Sequence, residues 1–132
     1  MAEASYPEDL LYHPEHDWAR IGPADPHTAT LGITWYAQDA LGEVVFLELP
    51  PVGTRLQKDS PYAEVESVKA VSDVIAPFSG EIVEVNGPLA EDPQAINEDP
   101  YGEGWLVKVR LADPSERDGL MDAGSYIATL GG

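Results

Sequence analysis

Tyr62-Ala63-Glu64-Val65-Glu66-Ser67-Val68-Lys69-Ala70-Val71-Ser72-Asp73-Val74-Ile75-Ala76 is the stretch on which the fold turns. Residues 62–67 and 72–76 are short, β-rich and partly alternating, so both read as strands. The segment between them, Val68 to Val71, is then the connection of a tight hairpin. Hairpin turns ordinarily use Asn, Asp, Gly or Pro because their backbone angles demand it. This one has none of them and sets three apolar side chains around one amine. Local rules tend to be broken at functional sites, which makes Lys69 a candidate. A lysine on a rigid protrusion suits covalent modification, since it must enter the active site of a modifying enzyme. Free amines are mostly protonated at neutral pH, so the catalytic push has to come from that enzyme. Amide formation then removes the charge and leaves a long arm that visits several active sites at high effective concentration. The competing reading is an ordinary solvent-exposed turn lysine, and residue chemistry alone does not separate the two.

Outward from the hairpin the pattern stays mainly β. Residues 27–34, 43–49, 81–86 and 105–111 are rich in Val, Thr, Leu and Ile and end at turn residues. Strands this short, separated by Pro and Gly, point to a sandwich or flattened barrel. Two helices are expected. One covers 35–41, with Thr34 as N-cap and Gly42 in the left-handed C′ position. The other runs near 115–122, after Asp113-Pro114, and stops at Gly124. Residues 86–104 read as a long ordered loop. A weak repeat links Gly42–Val45 with Gly80–Val83 and Asp59–Val65 with Glu98–Gly104. It points either to two pseudo-symmetric β units or to chance similarity of short β motifs.

Composition excludes several classes. The 132 residues suit one domain and include no cysteine, so disulfides, thiolate metal sites and a cysteine nucleophile are ruled out. His13 and His16 lie close together without a third or fourth ligand, and no metal site is argued. The net charge of −17 repels phosphate backbones and argues against nucleic-acid binding. It either steers the chain to basic partner surfaces or serves solubility. No apolar run approaches the roughly 20 residues of a membrane span. Met1 to Leu10 has neither a basic n-region nor an apolar h-region. The expected location is cytoplasmic, or the mitochondrial matrix if a transit peptide has been trimmed. Of the three lysines, Lys58 sits in a polar strand end or turn and Lys108 on the outward face of a strand.

Glu66-Ser67-Val68-Lys69-Ala70, with Ser72-Asp73 and Pro77-Phe78-Ser79-Gly80-Glu81, resembles the lipoylation site of the glycine cleavage system H protein family. Tyr12-His13-Pro14-Glu15-His16-Asp17-Trp18 resembles that family's N-terminal strand signature. Gly32-Ile33-Thr34, Leu41-Gly42-Glu43-Val44-Val45, Leu49-Pro50, Val52-Gly53-Thr54, Ile96-Asn97, Asp99-Pro100-Tyr101-Gly102 and Gly104-Trp105-Leu106 follow in the family's order, over roughly Tyr12 to Leu111. The resemblance implies a mainly β fold, a lipoyl/biotinyl-like barrel-sandwich hybrid, in one domain with a core at 12–111 and a C-terminal extension at 112–132. It implies a carrier rather than an enzyme, acting as a monomer, with lipoic acid amide-linked to Lys69. The arm would shuttle an aminomethyl group from a pyridoxal-phosphate glycine decarboxylase (P protein) to a tetrahydrofolate-dependent aminomethyltransferase (T protein), and electrons to dihydrolipoyl dehydrogenase (L protein). A lipoate ligase or octanoyltransferase would load it. By position, Glu66 and Gly80 match residues recognised by lipoylating enzymes. His16, Asp17 and Asp73 match the cleft where the loaded arm docks and is shielded from water. The family commonly has Glu where this chain has Asp17, so the amine contact is either lengthened or carried by Asp73.

Three other readings compete. A biotinyl domain would flank its lysine with methionines. An H-like carrier devoted to octanoyl or lipoyl relay would share all of these motifs. An enzyme in its own right would need a nucleophile–base pair, phosphate loop or metal signature, and none is present.

Overall fold

The computed structural model describes residues 5–130. The leader reading of Met1 to Leu10 therefore falls partly outside the described residues, as does the end of the 112–132 extension. Among the described residues nine strands form two antiparallel sheets: β1 (Leu11–His13), β2 (Asp17–Ile21), β3 (Thr28–Ile33), β4 (Val44–Glu48), β5 (Arg55–Leu56), β6 (Pro61–Ser67), β7 (Val71–Ile75), β8 (Gly80–Val85) and β9 (Val107–Leu111). The larger sheet is ordered β1-β2-β3-β9-β8-β5 and the smaller β4-β6-β7. This is the expected mainly β, flattened barrel-sandwich. The sheets close on a shared core that includes Leu31, Ile33, Val65, Val74, Phe78, Ile82, Val107 and Val109. No helix among the described residues is long and apolar enough to cross a membrane.

Strand β2 carries a second core. Period-two alternation sends Ala19 to the shared core and Trp18 to the opposite face. There Trp18 joins Leu10, Tyr12, Tyr101, Ala123 and Tyr126. The rings of Tyr12 and Tyr126 stack at 4.8 Å, and the Trp18 indole N–H donates to the Pro100 carbonyl at 3.0 Å. Gly32, paired with Trp18 across β2 and β3, makes room for the indole: a Cβ there would fall 2.5 Å from the ring.

Helix α1 (Trp35–Leu41) is where the sequence puts it. Thr34 Oγ accepts from the Ala37 N–H at 3.2 Å, an N-cap bond. Gly42 ends the helix at φ 83° and ψ −154°. That lies outside the left-handed helical well, in a region essentially restricted to glycine.

The C-terminal helix is displaced from its expected place. Residues Pro114–Gly119 form a 3-10 turn, and the helix itself, α3, spans Ala123–Thr129 with Gly124 inside it. Asp113 caps the first piece through the Ser115 N–H at 3.0 Å, and Asp122 the second through Ser125 at 2.8 Å. The 114–119 turn buries none of its side chains, whereas α3 buries Ala123 and Tyr126. Short helices persist through packing rather than propensity, so the helix forms where a face is covered.

Three further expectations are adjusted. Residues 86–104 are ordered by Asn86, whose Nδ2 donates to the carbonyls of Glu103 and Trp105 at 2.9 and 2.7 Å. They contain a 3-10 turn at Gly87–Ala90 and a one-turn helix, α2 (Ala95–Glu98). The Tyr12–Trp18 signature is a hairpin, not one strand, with His16 in its turn at φ 75°. The repeat holds only in part: Gly42–Val45 and Gly80–Val83 open strands in the two sheets, but 61–67 is a strand while 98–104 is helix end and turn.

Gly32→Ala is expected to overpack the indole and cost about 1–3 kcal/mol. Thermal unfolding measures this; an unchanged midpoint would mean that the Trp18 ring shifts aside freely.

Candidate functional site

The lysine turn is held by one hydroxyl. Ser67 Oγ accepts from the N–H groups of Lys69 and Ala70 at 3.3 and 3.1 Å, and the Ser67 N–H donates to the Ala70 carbonyl at 2.8 Å. The Val68 N–H donates to the Glu43 carbonyl at 3.2 Å, which ties the turn to the segment after α1. Among the described non-glycine residues only His16 and Asp59 have positive φ, so this turn needs no left-handed residue. That explains the missing Asn and Gly: a Ser side chain does the turn-closing work instead. Val68 and Lys69 project into solvent, and the lysine lies back over Gly42, with Cε 3.4 Å and Nζ 3.9 Å from where a Cβ would sit.

A cavity of about 320 Å³ opens at the foot of this turn. His16, Asp17 and Asp73 all line it, together with Tyr36, Leu41 and Val71. Each is there for a local reason. Asp17 shares the core-facing side of β2 with Ala19, Asp73 lies on the smaller sheet's edge strand β7, and His16 occupies the β1–β2 turn. His16 Nδ1 hydrogen-bonds Tyr126 Oη at 2.7 Å, and Tyr126 Oη meets Thr34 Oγ at 2.9 Å. The imidazole also packs on Tyr36, with ring centroids 4.5 Å apart. Burial pushes its pKa down, favouring the neutral ring.

Asp17 is the electrostatic anomaly. It is only 2% exposed, and its Oδ2 has no hydrogen-bond partner. Burial first, then the Glu15 charge, push its pKa well up, against a backbone hydrogen bond at Ile75 that pulls it down. His13 Nδ1 lies 3.9 Å from Oδ2 but accepts the Glu15 N–H at 3.0 Å, so it has no proton to offer Asp17. The His13 proton sits on Nε2, which donates to Asp59 at 2.7 Å. A buried carboxylate that lines a cavity and has one oxygen without a donor is chemically suited to a cation or N–H donor brought from outside. Asp73, by contrast, is exposed at the rim.

The other two candidates lie elsewhere. Glu66 is exposed on the outer face of β6, paired with Val71. Gly80 is in the opposite sheet and is no turn glycine: it starts β8, buried, where a Cβ would run into the Arg110 carbonyl oxygen. Sequence reasoning missed Ser67, whose serine-turn role was legible, and Tyr36, Tyr126 and Tyr62. The Tyr62 hydroxyl is buried without a partner, and burial followed by the Asp17 charge pushes its pKa up. No local pattern announces those three tyrosines, because only tertiary packing brings them near Asp17 and His16. Among the described residues no group of three or more His, Asp and Glu is placed to hold a metal ion.

Residues 10–131 match the family model described as "Glycine cleavage H-protein". The chain is 50% identical over 125 residues to the glycine cleavage system H protein of Symbiobacterium thermophilum, covering 95% of each. It is 52% identical over 120 residues to that of Halorhodospira halophila, covering 91% of each. A crystal structure of the H protein from Mycobacterium marinum superposes with a TM-score of 0.85 at 42% identity, covering 95% of this chain and 98% of that one.

Asp17→Asn tests the electrostatics of the cavity floor. A carboxyl whose folded pKa is raised holds its proton where the unfolded chain has already lost it. Stability therefore falls as pH rises from the ordinary carboxylate value through the raised one, then levels off. The amide has no charge to bury, so that decline should flatten and stability at neutral pH should rise by about 1–3 kcal/mol. Denaturant unfolding from pH 4 to 8 measures this; parallel curves for the two proteins would overturn it.

Proposed function

The chain belongs to the glycine cleavage H-protein family, lipoyl carriers rather than enzymes, and from that premise we propose that Lys69 is the residue that bears the lipoyl group. The observation that carries this reading is the pairing of one projecting lysine with a cavity at its foot lined by Asp17, a buried acid with one oxygen lacking a donor. Amide-linked at Lys69, the group would supply a disulfide that accepts an aminomethyl unit and electrons. The chain's own residues hold and shield the end of the arm. Asp17 Oδ2 accepts an N–H from the incoming amine, and in doing so gains the partner it lacks. Its shorter side chain fits, since the carboxylate already borders the cavity. Asp73 adds a second, solvent-exposed charge at the mouth. Leu41, Val71 and Tyr36 exclude water, and His16, fixed by Tyr126, forms one wall. Glu66 and Gly80 serve recognition by the lipoate ligase or octanoyltransferase, Gly80 indirectly by letting β8 and β9 approach closely.

In this reading the carrier is loaded by glycine decarboxylase, unloaded by the aminomethyltransferase and reoxidised by dihydrolipoyl dehydrogenase. It works as a monomeric single domain, a core at 12–111 with the 112–132 extension backing the cleft through Tyr126. The strong negative charge would keep it off nucleic acid and steer it to basic faces on those enzymes.

Intact mass and peptide mapping after expression beside a lipoate ligase with free lipoate test the assignment. A lipoyl increment is expected on Lys69 and should vanish in Lys69→Arg; modification at Lys58 or Lys108, or none, overturns it. Once the carrier is charged from glycine, Asp17→Asn and Asp73→Asn should each shorten the lifetime of the charged state several-fold, about 1 kcal/mol or more of lost contact, without reducing lipoylation. Ammonia release over time measures this, and unchanged lifetimes would remove both carboxylates from the docking role.

A further inference from the structure

Strand register gives the outer face of the β4-β6-β7 sheet a pattern that the core does not use and that meets the cleft only at its rim, through Val71 and Asp73. Phe46 pairs with Glu66, and Glu66 with Val71, so these three cross the sheet in one row nearest the lysine turn. The next row on the same face is Glu48, Glu64 and Asp73, again in direct register. Phe46 is 56% exposed, Val71 60% and Val68 70%; Val45, the extra residue of an irregularity in β4, is also exposed. Four of the eight exposed large apolar side chains among the described residues thus gather around Lys69. Exposed apolar residues scattered singly need no explanation, but a cluster with a polar border marks a contact surface. The carboxylate row points the same way. Like charges directly opposite on a sheet are destabilising, and no ion pair among the described residues neutralises these three. Beside the row, Leu49, Pro50, Pro51 and Pro61 wall a groove of about 460 Å³ that contains all three carboxylates.

We propose that this face is the docking surface for the enzyme that attaches the lipoyl group, and that the matching surface is an apolar patch seated on Phe46, Val68 and Val71, bordered by arginine or lysine side chains that meet Glu48 and Glu64. The inference rests on Lys69 being the attachment site. One argument selects this occupant over the enzymes that use the finished arm. An enzyme forming a bond to Nζ must bring its active site to the lysine itself, and so must cover Val68 and Val71. Enzymes acting at the far end of the arm reach their target without touching the turn. Charge decides the border: a row of unneutralised carboxylates on a chain of net charge −17 is complementary only to a basic rim, which raises the encounter rate as well. The surface meets the cavity only at its rim, through Val71 and Asp73, because Phe46, Val68, Glu48 and Glu64 take no part in lining it.

The test is steady-state lipoylation of the purified apo chain by a purified lipoate ligase, at low and high salt, with three proteins: unsubstituted, Phe46→Ser, and the double variant Glu48→Gln/Glu64→Gln. Phe46→Ser is expected to raise KM for the carrier about tenfold, a typical loss for an interface anchor, with kcat unchanged. The double variant should raise KM about threefold at low salt and merge with the unsubstituted chain at high salt, since screening removes the same attraction. It also relieves repulsion on the sheet, so it remains informative if Phe46→Ser folds poorly. Equal KM values for the unsubstituted chain and the double variant at low salt overturn the proposal. So does concentration-dependent dimerisation that Phe46→Ser abolishes while KM stays constant, which would make a second copy the occupant. An unsubstituted chain that is not modified on Lys69 overturns the attachment site itself, and this surface with it.

Discussion

Asp17, Trp18 and Ala19 are buried in succession, so β2 is covered on both faces, and the rest of the molecule is arranged around that constraint. A strand buried on one side needs only one core. Covering the second side requires something to lie on Trp18, and the chain supplies it from Tyr101 and from α3 through Tyr126. On the other face, the smaller sheet around Tyr62 and Ile75 takes the Asp17 carboxylate out of water. Burying a carboxylate with one oxygen unpartnered is costly, and it lifts the pKa. The two faces are linked at His16: the α3 packing that stabilises the N-terminal hairpin also fixes His16 through Tyr126, and so shapes one wall of the cavity that Asp17 lines.

The lysine turn solves a different problem. The role proposed for Lys69 requires a side chain exposed yet held still, and exposed turns owe their rigidity to local hydrogen bonds rather than burial. Ser67 provides these from a buried position at the end of β6, so the clamp is protected while the lysine two residues on is not. The bond from Val68 to Glu43 adds a tertiary anchor at the point where α1 hands over to β4. Gly42, at a φ and ψ available only to glycine, sets the direction of that handover and leaves space for the lysine stem.

Local pattern carries most of the architecture. The hairpin strands, the capping of α1 by Thr34 and its stop at Gly42 are encoded in adjacent residues, and each is found in place. The C-terminal helix is ambiguous in sequence because Asp113-Pro114 and Asp122 both make good starts, and only the burial of Ala123 and Tyr126 chooses between them. His16 gives no local sign of its positive φ: histidine tolerates that region better than most residues, but nothing beside it marks the turn. Of the candidate site, Lys69 stands out from the chemistry of its turn while Asp17 and Asp73 come from motif resemblance, but the difference between a buried Asp17 and an exposed Asp73 is invisible in any motif. Gly80 carries no local sign of its structural role in the sequence and is a packing glycine in the fold, because the Arg110 carbonyl it accommodates belongs to a distant strand end.

The cavity itself follows from how a sheet edge is managed. Strand β7 ends the smaller sheet, and an edge strand left bare invites pairing with other chains. Here the edge is approached by the β1–β2 turn and by α1, and Asp17 reaches the backbone at Ile75. The cover does not close completely: residues 71–74 on one side, 15–17 and 36–41 on the other, leave the gap that forms the cleft. Extending the cover to seal the edge would fill the cleft, and stripping it away would expose both the edge and the carboxylate. An edge strand half covered by a turn and a short helix is thus a stable way to keep an opening beside a projecting lysine. It also explains why Asp73 borders two cavities, one on each side of the edge strand that carries it.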